Sequence, residues 1–188
     1  MKEQNTGSLA LPVEPAVSNS TAGTRPFAQD LRFNSPIQSS LDSNIGSISF
    51  RVVVNYSRRL ERLIADGEYA WANSDICTKR FPVAGKGAVE LEFRLIGLDR
   101  VVETEAVESE LRNRSLRPAT LQELLAYGAI CRDMHSQFPL VALGSSWQHP
   151  CGGHRVPFIW TGRSGRLLDL CWRENRWEED FHFLAIRT

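Results

Sequence analysis

From Ile48 the chain alternates: Ile48, Phe50, Val52 and Val54 are separated by Ser49, Arg51, Val53 and Asn55. A period of two predicts a strand that buries one face. Residues 57–67 switch to a helical period. Leu60, Leu63 and Ile64 share one stripe, Arg58, Arg59, Glu61 and Arg62 lie off it, Ser57 is placed to cap the start and Gly67 the end. Val89, Leu91, Phe93 and Leu95 then alternate with Glu90, Glu92 and Arg94, which predicts a second strand with one wet face, as in an antiparallel sheet.

Residues 103–113 favour a helix by propensity, and a clearer one spans 117–128. Thr120 and Glu123 stand at the capping-box spacing, with Gly128 placed to terminate the helix. Beyond it, short strands are expected over 140–143, 156–160, 167–172 and 181–187, divided by glycine turns and a charged loop. Spacing this short favours antiparallel neighbours. The expected fold is therefore α+β, an antiparallel sheet with two or three helices, forming a single domain over residues 46–188.

Residues 1–45 carry Ser, Thr, Asn, Gln and Pro with only isolated apolar positions, a pattern that cannot bury enough surface to offset the entropy of ordering. They read as a disordered tail or linker. A short apolar patch, Phe27 to Phe33, is the one part of it suited to dock on the domain.

Charge narrows the partners. With 22 basic and 22 acidic residues the chain has no net charge, so it lacks the global attraction that non-specific nucleic-acid binding depends on. No nucleic acid is expected. No apolar run approaches the roughly 20 residues of a membrane helix, and the N-terminus lacks the basic and apolar regions of a secretory signal. Membrane insertion is not expected, and residence is expected to be cytoplasmic. Four scattered cysteines, Cys77, Cys131, Cys151 and Cys171, then read as free thiols.

Candidate chemistry is sparse. His149, Cys151 and His154 are three potential zinc ligands within six residues, but a structural site needs four. A fourth would have to come from Cys131, His135, Cys171 or His182, none at a companion spacing. A glycine hairpin turn with exposed histidines accounts for the same residues. Gly144-Ser-Ser-Trp147 lacks the second glycine of a nucleophile elbow, and Gly162-Arg-Ser-Gly165 lacks the lysine and helix of a phosphate loop. Glu174, Glu178, Glu179 and Asp180 do not form a calcium loop. No catalytic residue, metal or cofactor is therefore assigned.

Aromatic residues crowd the C-terminus: Trp147, Phe158, Trp160, Trp172, Trp177, Phe181 and Phe183, most of them expected in the core. Alternation places Leu168, Leu170 and Trp172 on one face of a strand, with Asp169, Cys171 and Arg173 on a chemically mixed opposite face.

Leu116-Arg-Pro-Ala-Thr-Leu-Gln-Glu-Leu-Leu125, Phe138-Pro-Leu-Val-Ala-Leu-Gly-Ser-Ser-Trp147, Arg155-Val-Pro157, Gly165-Arg-Leu-Leu-Asp-Leu-Cys-Trp172 and Phe183-Leu-Ala-Ile-Arg187, with Val54-Asn-Tyr-Ser-Arg-Arg-Leu-Glu61 and Ala70-Trp-Ala-Asn-Ser-Asp-Ile76 earlier, carry a likeness. Through them Phe50 to Thr188 resembles a family of small proteins from uncultivated bacterial lineages, which brings no settled function with it. With a Leu-rich helix face, the Gly144-Ser-Ser-Trp147 strand end, a glycine turn, the Leu168-x-Leu170-x-Trp172 strand and the closing Phe183-Leu-Ala-Ile-Arg187 strand, the C-terminal half, about residues 116–188, is in turn similar to the C-type-lectin-like fold, especially the variable proteins of diversity-generating retroelements. That resemblance implies a non-enzymatic protein presenting a surface to a protein or other macromolecular ligand. The ligand-binding candidates it implies are Arg163, Arg166, Asp169, Cys171, Arg173, Asn175, Arg176, Glu178, Asp180 and His182. A structural or assembly protein without a variable site, and a zinc-dependent hydrolase using His149, Cys151 and His154, stand as the alternatives.

Overall fold

A computed structural model describes residues 40–41, 48–83, 85–132 and 138–188. The tail expected over 1–45, with its Phe27–Phe33 patch, lies outside the described residues apart from Ser40–Leu41, which form strand β1. In chain order there follow β2 (Ile48–Asn55), α1 (Leu60–Asp66), β3 (Trp71–Ala72), β4 (Ala88–Gly97), β5 (Val102–Glu103) and α2 (Thr104–Asn113). Next come β6 (Leu116–Pro118), α3 (Leu121–Ile130), β7 (Leu140–Val141), β8 (Trp147–Gln148), β9 (His154–Gly162), β10 (Gly165–Trp172), β11 (Arg176–Trp177) and β12 (His182–Arg187). The fold is α+β.

The main sheet runs β1-β2-β4-β12-β7-β9-β10-β3, with β6 added on β12 and β8 on β9. It is mixed, where an antiparallel sheet was expected: β12 pairs with β7, and β10 with β3, in parallel. Short spacing constrains only consecutive strands such as β9 and β10, which are indeed antiparallel. Strands β7 and β12 are separated by the whole β8–β11 excursion, so the chain can return in either direction.

Both faces of the sheet are covered. One cluster joins Phe50, Val52, Val54, Phe93, Leu95, Ile159, Leu168, Leu184 and Ile186 to Leu60 and Leu63 of α1 and Leu121, Leu124, Leu125 and Tyr127 of α3. A second joins Ile96, Val141, Val156, Phe183 and Ala185 to Val107 and Leu111 of α2 and to Trp177. Neighbours along β12 thus enter different clusters, which is why Phe183-Leu-Ala-Ile186 is apolar without interruption.

Several expectations change in consequence. Alternation in β2 holds, with Phe50, Val52 and Val54 buried and Arg51 and Val53 exposed. In β4 the face expected to be wet carries Ile96 into the second cluster, and Glu92 and Arg94 form a half-buried ion pair at 2.7 Å. Val89, expected inside, is 44% exposed near the strand's start.

Helix α1 is preceded by Arg59 as its N-cap, and the Ser57 hydroxyl instead accepts the Gly87 N–H at 2.8 Å. The helix expected over 117–128, α3, begins only at Leu121, because Leu116–Pro118 pair with β12 as β6; the capping box marks the true start, with the Glu123 carboxylate accepting the Thr120 N–H at 2.7 Å. It runs past Gly128 to Ile130. Gly128 serves a different purpose: a Cβ there would lie 2.3 Å from the Tyr69 hydroxyl, so the residue permits a close approach inside the helix.

Candidate functional site

The ten residues singled out by resemblance do not form one surface. The β9–β10 hairpin pairs Gly165 with Gly162 at its turn and Trp172 with Arg155 at its other end. At about 3.4 Å per residue those ends stand about 24 Å apart. Arg163 is exposed at the turn, while Asn175, Arg176, Glu178 and Asp180 are exposed beyond the opposite end.

The other five are half-buried and engaged with neighbouring elements. Arg166 donates to the Gly67 carbonyl at 3.0 Å and the Gly128 carbonyl at 2.7 Å, and lies 4.9 Å over the Tyr69 ring. It ties α1 and α3 to β10. Asp169 accepts the Asn73 side-chain N–H at 2.7 Å and the Leu170 N–H at 2.7 Å, holding the residues after β3 to the sheet. Cys171 packs against the second cluster, where burial pushes its thiol up to about 12. Arg173 pairs with Glu108 of α2. His182 stacks on Phe138 with ring centroids 3.8 Å apart, and burial lowers its pKa. On the mixed face read from the alternation of β10, Cys171 thus packs against the second cluster, while Asp169 and Arg173 are half-buried and held by Asn73 and Glu108.

The loop after β10 is anchored rather than free. Trp177 is 1% exposed, its indole N–H donates to the Thr104 hydroxyl at 2.9 Å, and that hydroxyl donates to the Arg173 carbonyl. Strand β11 pairs with β5, which fixes the loop against the start of α2.

Trp172, expected in the core with Leu168 and Leu170, is only half-buried. It belongs instead to a cluster built from four segments. Across the ladders Trp147 pairs with Arg155, and Arg155 with Trp172, so the three side chains stand in a row over β8, β9 and β10. The Arg155 guanidinium lies 4.0 Å from the Trp172 ring centroid, and that of Arg80 lies 4.3 Å from Trp147. His149 sits edge-on to both indoles, at 5.1 Å from Trp147 and 5.4 Å from Trp172.

The turn over this row holds the residues considered as zinc ligands. His149 Nδ1 is 2.7 Å from Cys151 Sγ. His154 turns away, its backbone N–H and Nδ1 both reaching the Glu174 carboxylate, at 2.9 and 3.2 Å. Among the described residues no group of three or more His, Cys, Asp or Glu is arranged to hold a metal ion, and His135 lies outside them. The His154 carbonyl also accepts the Arg173 N–H at 2.8 Å, which sets the 149–154 turn beside the 173–176 loop. Asn175 and Arg176 are in this way continuous with the aromatic row.

Sequence reading named His149 and Trp172 for other reasons and missed Arg80, Trp147 and Arg155 as a group. The alternating sequence of β9 and β10 carried part of the signal, but the ladder register that aligns Trp147, Arg155 and Trp172 did not show in it. A second electrostatic knot lies in α3: Glu123, 1% exposed, accepts both Arg117 Nη atoms at 2.8 and 3.0 Å, the Tyr56 hydroxyl and the Thr120 N–H. Burial alone would raise its pKa, but these donors outweigh burial and hold the carboxyl below its usual range.

No helix among the described residues is long and apolar enough to cross a membrane. A scan against family models, a search of curated proteins and a search of solved structures each returned no match to this chain.

Proposed function

We propose that this chain is a non-enzymatic binding module whose C-terminal half, C-type-lectin-like in arrangement, presents the Trp147–His149–Trp172 face to a protein or other macromolecular ligand. The order of elements supports the first part: an apolar helix α3, the Gly144-Ser-Ser-Trp147 stretch that leads into β8, a glycine turn, the β10 strand and the closing β12 strand follow the sequence the resemblance implies. The observation that carries the second part is the convergence of residues 80, 147–149, 155 and 172 on one ring stack that stays half exposed.

Tryptophan and arginine are the residue types that dominate interface energies, because each offers a large contact area together with polar donors. Here they are already held by neighbouring rings, so a ligand would lose less side-chain entropy on binding. The adjoining exposed residues Asn175 and Arg176 supply a polar rim.

Selection of a random peptide library on the full chain, followed by hydrogen exchange of the selected complex, tests this face. Protection concentrated in 147–155 and 170–176 is expected. Failure to select any ligand, or protection confined to other segments, contradicts it.

A further inference from the structure

The turn above the ring stack holds a nucleophile beside a base. Cys151 is exposed, and its Sγ lies 2.7 Å from His149 Nδ1. The same Nδ1 accepts the Cys151 backbone N–H at 3.3 Å. With Nδ1 as the unprotonated ring nitrogen, its single lone pair faces both the Cys151 amide and the thiol, within reach of the thiol proton.

The imidazole is held in that orientation. Trp147 and Trp172 meet it edge-on, and the turn is closed by the Gly152 N–H on the His149 carbonyl at 2.9 Å and the His149 N–H on the Gly153 carbonyl at 3.1 Å. Gly152 and Gly153 adopt φ of 93° and 71°, a left-handed region that glycine enters without strain. Because His154 is engaged with Glu174, what remains is a nucleophile with its base rather than a metal-ligand set.

The geometry points to Cys151 as a thiol activated by His149 for exchange with small disulfides, making this turn a site of reversible S-thiolation. The Cys151 S–H proton passes to His149 Nδ1, and the thiolate attacks one sulfur of the small disulfide. A sulfur–sulfur bond forms to Cys151 as the original one breaks, and the departing thiolate takes the proton from His149 Nδ1. Cys151 is oxidised to a mixed disulfide while half of the small disulfide is reduced to a thiol, so no further oxidant is needed. The other thiols provide the contrast. Burial pushes Cys131 up to about 11 and Cys171 up to about 12, and Cys77 is half-buried.

The proposal is independent of the binding function, because it is read on the free chain. The full-length protein is incubated with excess oxidised glutathione at pH 7, and adducts are timed at each cysteine by peptide mass spectrometry. An ordinary thiol is only about 3% ionised at that pH, so proton transfer can raise the reactive fraction by about 30-fold at most, and a stabilised thiolate gives some of this back in nucleophilicity. The Cys151 adduct is expected to form about tenfold faster than that of Cys77 and to be reversed by dithiothreitol. His149→Phe, which keeps a ring between the indoles, and His149→Asn are both expected to slow the Cys151 adduct about tenfold while leaving the rate at Cys77 unchanged. Equal rates at Cys151 and Cys77 in the unaltered chain, or a Cys151 rate unchanged in both variants, would overturn the proposal.

Discussion

Arg155 and Trp172 are direct partners across the β9–β10 ladder, and the guanidinium lies flat enough on the indole to bring Cζ within 4.0 Å of the ring centroid. Arg155 also donates to the Leu170 carbonyl at 2.9 Å, which fixes the cation over the ring. An exposed cation–π pair contributes about 0.5–1 kcal/mol, enough to order two side chains without sealing them from solvent. Trp172 is left available at the surface as a result.

Replacement by alanine should separate Trp172 from the buried aromatics. Trp177 and Phe183 are each 1% exposed, so Trp177→Ala and Phe183→Ala should each cost about 3–5 kcal/mol in lost burial and cavity formation. Trp172→Ala should cost about 1 kcal/mol, since only part of its surface is removed from water. A denaturant titration reads all three, and equal losses would place Trp172 in the core after all.

Glu123 makes the stability of the fold sensitive to acid. Its folded pKa lies below the unfolded value of about 4.3, so its contribution is complete above that value and is lost as the pH falls through the folded pKa. Glu123→Gln should lower stability at pH 7 by about 3 kcal/mol, at the low end for a broken buried pair because Arg117 is 40% exposed. Unfolding curves from pH 7 to pH 2 should also show less acid destabilisation in the variant than in the unaltered chain. Parallel pH profiles would remove Glu123 from this role.

The alternation in β2, the Thr120–Glu123 cap of α3 and the α+β class were legible in the sequence because each depends on local periodicity or a short-range cap. What was not legible depends on register between distant strands. Whether Cys171 faces water or a second apolar cluster is decided by α2, more than fifty residues earlier in the chain. Arg166 looked like a surface cation because no local pattern announces that it will reach the carbonyls of Gly67 and Gly128. The aromatic row likewise needed β8, β9 and β10 to be aligned before Trp147, Arg155 and Trp172 could be recognised as neighbours.

Gly144 is required by a close backbone approach. Its N–H donates to the Ala119 carbonyl at 2.8 Å, and a Cβ at this position would lie 2.6 Å from that oxygen and 2.7 Å from the Pro118 carbonyl oxygen. Backbone atoms cannot move aside as a flexible side chain would. Gly144→Ala should therefore cost about 1–3 kcal/mol by overpacking, read as a lowered thermal midpoint, whereas an unchanged midpoint would mean the β6–α3 junction yields freely.

Cys131 and Cys171 should resist thiol reagents at neutral pH in the folded protein, because burial raises both thiols to about 11 and about 12. Their labelling should appear only with global unfolding, tracked by mass spectrometry across a denaturant series. Rapid labelling of Cys171 without denaturant would show that its face of β10 opens to water.

The binding face is tested most directly by calorimetric titration of a library-selected peptide into the unaltered chain and the Trp147→Ala, Trp172→Ala and Arg163→Ala variants. Loss of either tryptophan should weaken binding by about 2 kcal/mol or more, roughly 30-fold, while Arg163→Ala, at the far end of the hairpin, should change it less than about twofold. Unchanged affinity in both tryptophan variants, with a large loss in Arg163→Ala, would contradict the assignment of the Trp147–His149–Trp172 face.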